Sequence, residues 1–264
     1  MKLNKLAAAA AIAVGAFGSA HAVPVALELS LVIDVSGSVS ATEYNTQRNG
    51  YVAAFNNATV QANILSFAAS GGIAVNVIQF ATNAAESIAW TQLQTLGDIT
   101  TFAATLAAMG RDGAVGASTD VEDGMLLGTS SIQANNFEGT RKVIDVSGDG
   151  HQNTDVACSG AAPYNIACTP TQNARNAAAA LGIQINGLAI EDGTYGANGL
   201  TTWYDTNVRT AGGFVFTANG FDDFERAAIA KIGREIIHVP EPGTLALVGL
   251  ALAGAGATAR RRRV

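Results

Sequence analysis

The chain has 264 residues, 48% hydrophobic and with 29 glycines, a composition that fits a globular α/β protein rich in tight turns. Its formal net charge is −6, and without the two ends described below it keeps 9 basic against 20 acidic residues, which argues against a basic nucleic-acid-binding face. An acidic field of this kind suits an exported domain that attracts divalent cations.

Lys2 and Lys5 precede an apolar run from Leu6 to Phe17, and Ala20-His21-Ala22 is a small-x-small cleavage site. The pattern predicts a secretory signal peptide over residues 1–22, with a mature domain over 23–239. The apolar run is shorter than the ~20 residues needed to span a bilayer.

Val25 to Asp34 predicts the first strand, and it runs into Asp34-Val35-Ser36-Gly37-Ser38. That turn delivers one carboxylate and two hydroxyls, with Gly37 expected to take a backbone path closed to most residues. Magnesium prefers octahedral oxygen ligands and takes only one or two carboxylates. Taken alone, these five residues fit ordinary turn chemistry equally well.

Ser40-Ala41-Thr42-Glu43 reads as a capping box opening a helix to about Phe55, and a shorter helix follows over Val60 to Phe67. Ile73 to Phe80 and Ala85 to Trp90 predict two strands, an antiparallel hairpin at a sheet edge. Helices are expected over Ile99 to Met109 and Val121 to Gln133. Arg141 to Val146 predicts a central strand, followed by a helix over Thr171 to Leu181 and a strand over Ile183 to Ile190. A helix over Leu200 to Ala211, a strand over Phe214 to Thr217 and a closing helix over Asp222 to Ile237 complete the chain. Alternating strands and helices predict a doubly wound, mainly parallel sheet with helices on both faces.

Two later segments add oxygen ligands. Thr119, with Ser118 before it, lies just ahead of a helix, and Asp149 follows a strand in Ser147-Gly148-Asp149-Gly150. Ligands of open α/β sheets bind beyond the carboxyl ends of the strands, where neighbouring turns converge. Asp34, Ser36, Ser38, Thr119 and Asp149 are thereby candidates for one metal site.

In this order, Asp-x-Ser-x-Ser, then Thr, then Asp, the chain from about Val25 to Ile237 resembles the von Willebrand factor A domain family. Arg141 to Gly150, Ile185 to Leu188 and Gly220 to Phe224 resemble a bacterial branch of it with undefined function. The resemblance implies that the serines and the threonine bind Mg2+ directly, with Mn2+ or Ca2+ as alternatives, and that the aspartates act through water. It also implies an open coordination position that takes an acidic group of a protein or extracellular polymer. The third motif departs from the family's Thr-Asp-Gly, so Asp145 competes with Asp149, and Ser118 competes with Thr119.

Cys158 and Cys168 are the only cysteines. In an oxidising compartment they predict a disulfide pinning the loop after Asp149. Trp90, Trp203, Phe214 and Phe224 read as packing aromatics, and Trp203 with Tyr204 could also flank a binding surface. His151, two residues after Asp149, reads as a solvent-facing loop residue, with reach to a bound ligand as the alternative. Asp222 and Asp223 read as helix-start residues, and Glu191-Asp192-Gly193 as a turn that could reach the rim.

Pro240-Glu241-Pro242 precedes an apolar stretch from Thr244 to Ala259 and Arg260 to Arg263. Residues 240–264 resemble a PEP-CTERM sorting signal. This implies transient membrane engagement, processing by an exosortase and display on the surface of a Gram-negative bacterium. A retained tail anchor is the alternative.

The five-oxygen constellation and the family resemblance imply a non-catalytic binding or adhesion module, and no Gly-x-Ser-x-Gly elbow or recognisable Ser-His-Asp pattern occurs. The alternatives are a metal-dependent hydrolase and a passive surface or matrix component.

Overall fold

Ten of the twelve residues of the first strand, β1 (Val23–Asp34), are buried, the polar Glu28, Ser30 and Asp34 among them, because both faces of the sheet are covered. The computed structural model describes residues 22–155, 158 and 167–237. Residues 1–21 of the expected signal peptide, the sorting segment and residues 159–166 between the two cysteines lie outside the described residues.

After β1 come α1 (Ala41–Asn56), α2 (Ala58–Ser66), β2 (Ile73–Phe80), β3 (Ala84–Leu93), α3 (Leu96–Ala108) and α4 (Val121–Ala134). The second half contains β4 (Phe137–Gly148), α5 (Thr169–Ala180), β5 (Ile183–Ile190), α6 (Gly199–Asn207), β6 (Val215–Ala218) and α7 (Phe224–Ile237). The six strands form one sheet in the order β3-β2-β1-β4-β5-β6. Only the β2–β3 pair is antiparallel, at the edge, as the short connection between them requires. All other pairs are parallel.

Both faces of the sheet are covered. Leu27, Leu29, Leu31 and Ile33 of β1 pack with Tyr51 and Phe55 of α1, Phe102 of α3 and Phe224 of α7. Val32 of β1, on the other face, joins Met125 of α4, Ala178 of α5 and Trp203 of α6. This is the doubly wound arrangement that alternating strands and helices predict. Gly50 lets α1 and α7 touch, since a Cβ there would lie 2.5 Å from the Phe224 ring. The Tyr51 and Phe224 rings meet edge to face at 5.3 Å.

β1 and β4 are central neighbours in parallel register, with Ile33 opposite Ser147. The chain winds outward from this pair in both directions, which places the turns after β1 and β4 side by side. Ser40 caps α1 as its sequence predicts, accepting from the Glu43 N–H while Glu43 accepts from the Ser40 N–H. This fixes where the turn after β1 must end.

α6 stops at Asn207, short of the expected Ala211. The N–H groups of Val208 and Arg209 both turn back to the Tyr204 carbonyl. Thr210 then bonds to Ile185 through its N–H and its hydroxyl, returning the chain to β5 before a further helical turn can form. Among the described residues no helix is long and apolar enough to cross a membrane.

Candidate metal centre

Three separate turns bring five oxygen-bearing residues together beyond the ends of β1 and β4. Asp34 is the last residue of β1, and its Oδ1 accepts from the Ser36 N–H at 2.7 Å. Ser36 Oγ lies 3.1 Å from Ser38 Oγ and accepts from Thr119 Oγ1 at 3.1 Å. Ser38 Oγ donates to Asp149 Oδ1 at 2.7 Å. The five residues thus form one connected network.

Asp34 and Ser36 are fully buried, Thr119 and Asp149 nearly so, while Ser38 is exposed. The network therefore has a buried floor and one side open to solvent.

The two competing residues lie elsewhere. Ser118 is exposed and gives its N–H to Thr82 Oγ1 at 2.9 Å. Asp145 is ion-paired with the buried Lys231 of α7. Gly37 also differs from expectation, since it is not among the residues with positive φ. Its lack of a side chain serves a close approach instead. The Gly37 N–H donates to the Ala117 carbonyl at 2.7 Å, and a Cβ would stand 3.2 Å from that oxygen.

Residues that carry no motif signal hold the turns in place. The Arg111 guanidinium donates to the Val35 and Ser36 carbonyls, each at 2.6 Å. Asn153 exchanges bonds with Thr119 in both directions, at 2.9 Å each. Gln152 accepts from the Glu122 N–H and donates to Asp120, the cap of α4. The amide-rich run Gln152-Asn153, beginning three residues after Asp149, was a usable signal for the last two. Arg111 offered only a lone cation between Gly110 and Gly113.

His151 does not simply face solvent. It is half-buried, its ring 5.1 Å from Tyr195 and 6.1 Å from the buried Trp203, and its Nδ1 lies 2.8 Å from the Gln152 carbonyl. Asp223 pairs with Arg226 and accepts from the Asn219 N–H, so it stabilises the start of α7. Asp192 caps its own turn by accepting from Thr194. The disulfide joins Cys158 and Cys168.

The electrostatics are those of an anionic site short of positive charge. Burial, and then the facing Asp149, push the Asp34 carboxyl up to about 7, and Arg111 only partly offsets this. Burial also raises Asp149, against its bond from Ser38, and Asp192 and Glu43 add to the shift. Asp34 Oδ2 is buried without a hydrogen-bond partner.

These features decide what the residues fit. Two carboxylates, one of them with an unsatisfied buried oxygen, and three hydroxyls make a hard-oxygen donor set suited to Mg2+, Mn2+ or Ca2+. No group of three or more His, Cys, Asp or Glu side chains poised for a metal occurs among the described residues.

Residues 24–240 match the family described as "Protein of unknown function (DUF1194)", and residues 238–263 match the PEP-CTERM protein-sorting motif. That motif implies export, surface association and exosortase processing. No curated protein matches the chain.

Solved structures with a similar fold include the pilus adhesin SpaC from Lactobacillus rhamnosus GG, at 15% identity and a TM-score of 0.56, covering 81% of this chain and 30% of that one. The PilB minor pilin from Streptococcus sanguinis matches at 15% identity and a TM-score of 0.54, covering 83% and 64%. Proximal thread matrix protein 1 from the mussel byssus, solved with a zinc-occupied MIDAS motif, matches at 14% identity and a TM-score of 0.53, covering 81% and 46%. The chain spans less than two thirds of each of these proteins. At such identities the likeness is one of fold.

Proposed function

The chain belongs to the DUF1194 family, and from that premise and the site geometry we propose that it is an exported, non-catalytic adhesion or matrix module dependent on a divalent cation. The observation that carries this reading is the five-residue network ending on the unpartnered, buried Asp34 Oδ2. Buried carboxylate oxygen without a partner is costly, and the positive charge of a nearby cation would offset that cost.

Asp34 and Asp149 supply the negative charge, and Ser36, Ser38 and Thr119 supply hydroxyl oxygens. Arg111 and Asn153 keep the three turns at fixed separation. A bound Mg2+, Mn2+ or Ca2+ would supply positive charge and an open position for an acidic group of a protein or extracellular polymer. The sorting motif, and the adhesin, pilin and byssus proteins that share the fold, support a role outside the inner membrane.

The reading is tested by retention of the purified protein on immobilised poly-glutamate. Retention in magnesium that is lost in chelator, and lost again in Ser36→Ala, is the expected result. Equal retention in chelator contradicts cation dependence. Failure to be retained under any condition, in a protein that binds the cation, contradicts the acidic-partner assignment.

A further inference from the structure

Tyr204 of α6 is fully buried, yet its hydroxyl has no hydrogen-bond partner. Asp34 Oδ2, also fully buried, has none either. The two oxygens face the same point, because a Cβ built on Gly148 would lie 2.7 Å from each. Gly148 closes β4, and its missing side chain lets the phenol come up to the carboxylate from below.

A second glycine seats the same ring. A Cβ on Gly187 of β5 would lie 2.8 Å from Tyr204 Cδ1. The sequence thus keeps two strand positions bare, and both accommodate this tyrosine. A phenylalanine would fill the same space without bringing a buried hydroxyl, which unpaired costs about 1–3 kcal/mol.

A phenol is a hydrogen-bond donor at any working pH, and a carboxylate oxygen is an acceptor. Burial first, and the Asp34 charge second, push the Tyr204 phenol well above its usual range, consistent with the two groups being neighbours. We propose that Tyr204 is a positioning residue, whose hydroxyl donates to Asp34 Oδ2 across one water and fixes that carboxylate for the cation. The inference rests on the metal reading above. It assigns to α6, on the α4–α6 side of the sheet, a part in the site that no sequence motif marks. Groups that orient metal-binding side chains commonly govern affinity by about 10- to 100-fold.

The test compares wild type with Tyr204→Phe in two measurements, calorimetric titration with Mn2+ and thermal melting in chelator. The expected result is Mn2+ affinity lower by roughly tenfold or more, with a cooperative melt in chelator that shows the variant folded. Gly148→Ala, which forces the two oxygens apart, is expected to weaken Mn2+ binding as well. Wild-type affinity in Tyr204→Phe overturns the positioning role and leaves the metal reading standing. Absence of Mn2+ binding in the wild type overturns both.

Discussion

Ser38 Oγ donates to Asp149 Oδ1 at 2.7 Å although 111 residues separate the two in sequence. The bond ties the turn after β1 to the turn after β4 across the centre of the sheet. Ser38 is exposed, so its hydroxyl contributes little to the core. Ser38→Ala is expected to lower the melting temperature in chelator by no more than a few degrees while weakening Mg2+ binding by about tenfold. Titration calorimetry beside a thermal melt reads both, and unchanged affinity would remove Ser38 from the site.

Arg111 holds the same turn from the other side, bonding two consecutive carbonyls. Hydrogen bonds from a charged donor contribute about 1.5–3 kcal/mol each, and those at the surface contribute less. Arg111→Ala is expected to lower the melting temperature by a few degrees and to weaken cation binding, because Ser36 is then free to move. Arg111→Lys should recover only part of this, since one ammonium lacks the planar fork. A melting curve superimposable on the wild type would show that the clamp is unimportant.

How much of this was legible in the sequence follows the range of the interactions. The capping box at Ser40 and Glu43, the edge hairpin and the strand Ile183–Ile190 depend on neighbours within a few residues, and the chain order alone marks them. The convergence of Asp34, Ser36, Ser38, Thr119 and Asp149 into one network was legible because each ends or follows a strand or precedes a helix, and the sheet order brings their turns together. Arg111 and Tyr204 were not, because each acts on a residue more than 70 positions away and sits in no recognisable pattern. The end of α6 was missed for the same reason, since Ile185, remote in sequence, takes up Thr210.

The buried trio Asp145, Lys231 and Glu235 gives a pH signature. Lys231 Nζ is paired with Asp145 and lies 2.8 Å from Glu235 Oε1, all three side chains being fully buried. One cation and two carboxylates are neutral only when one carboxylate keeps a proton. Burial, and then Glu235, push the Asp145 carboxyl from 3.8 up to about 7, with Lys231 opposing.

Between those values the folded protein holds a proton that the unfolded chain has released. The stabilising contribution is full below pH 3.8 and is lost as pH rises through about 7. Asp34 titrates in the same window, so the informative comparison is with Asp145→Asn, which stays uncharged at every pH. The wild-type melting temperature in chelator is expected to fall more steeply than that of the variant between roughly pH 5 and pH 8. Parallel curves would contradict the assignment.

The Cys158–Cys168 disulfide closes a short loop at the start of α5, where the Cys168 N–H also donates to Asn207 at 2.7 Å. A loop of this length constrains the unfolded chain by about 2–3 kcal/mol. Cys158→Ser with Cys168→Ser is expected to lower the melting temperature by several degrees while leaving Mg2+ affinity near the wild-type value, because neither cysteine belongs to the site network. Loss of cation binding in a folded double variant would show that this loop is part of the site.

The central claim is most directly tested by titrating the purified, chelator-treated protein with Mg2+, Mn2+ and Ca2+ in a calorimeter, beside Asp34→Ala and Asp149→Ala variants whose folding is verified by circular dichroism. Saturable binding of one cation per chain to the wild type, abolished in both variants, is the predicted result. Absence of binding to the wild type, or binding that survives both substitutions, would contradict a cation site formed by Asp34, Ser36, Ser38, Thr119 and Asp149.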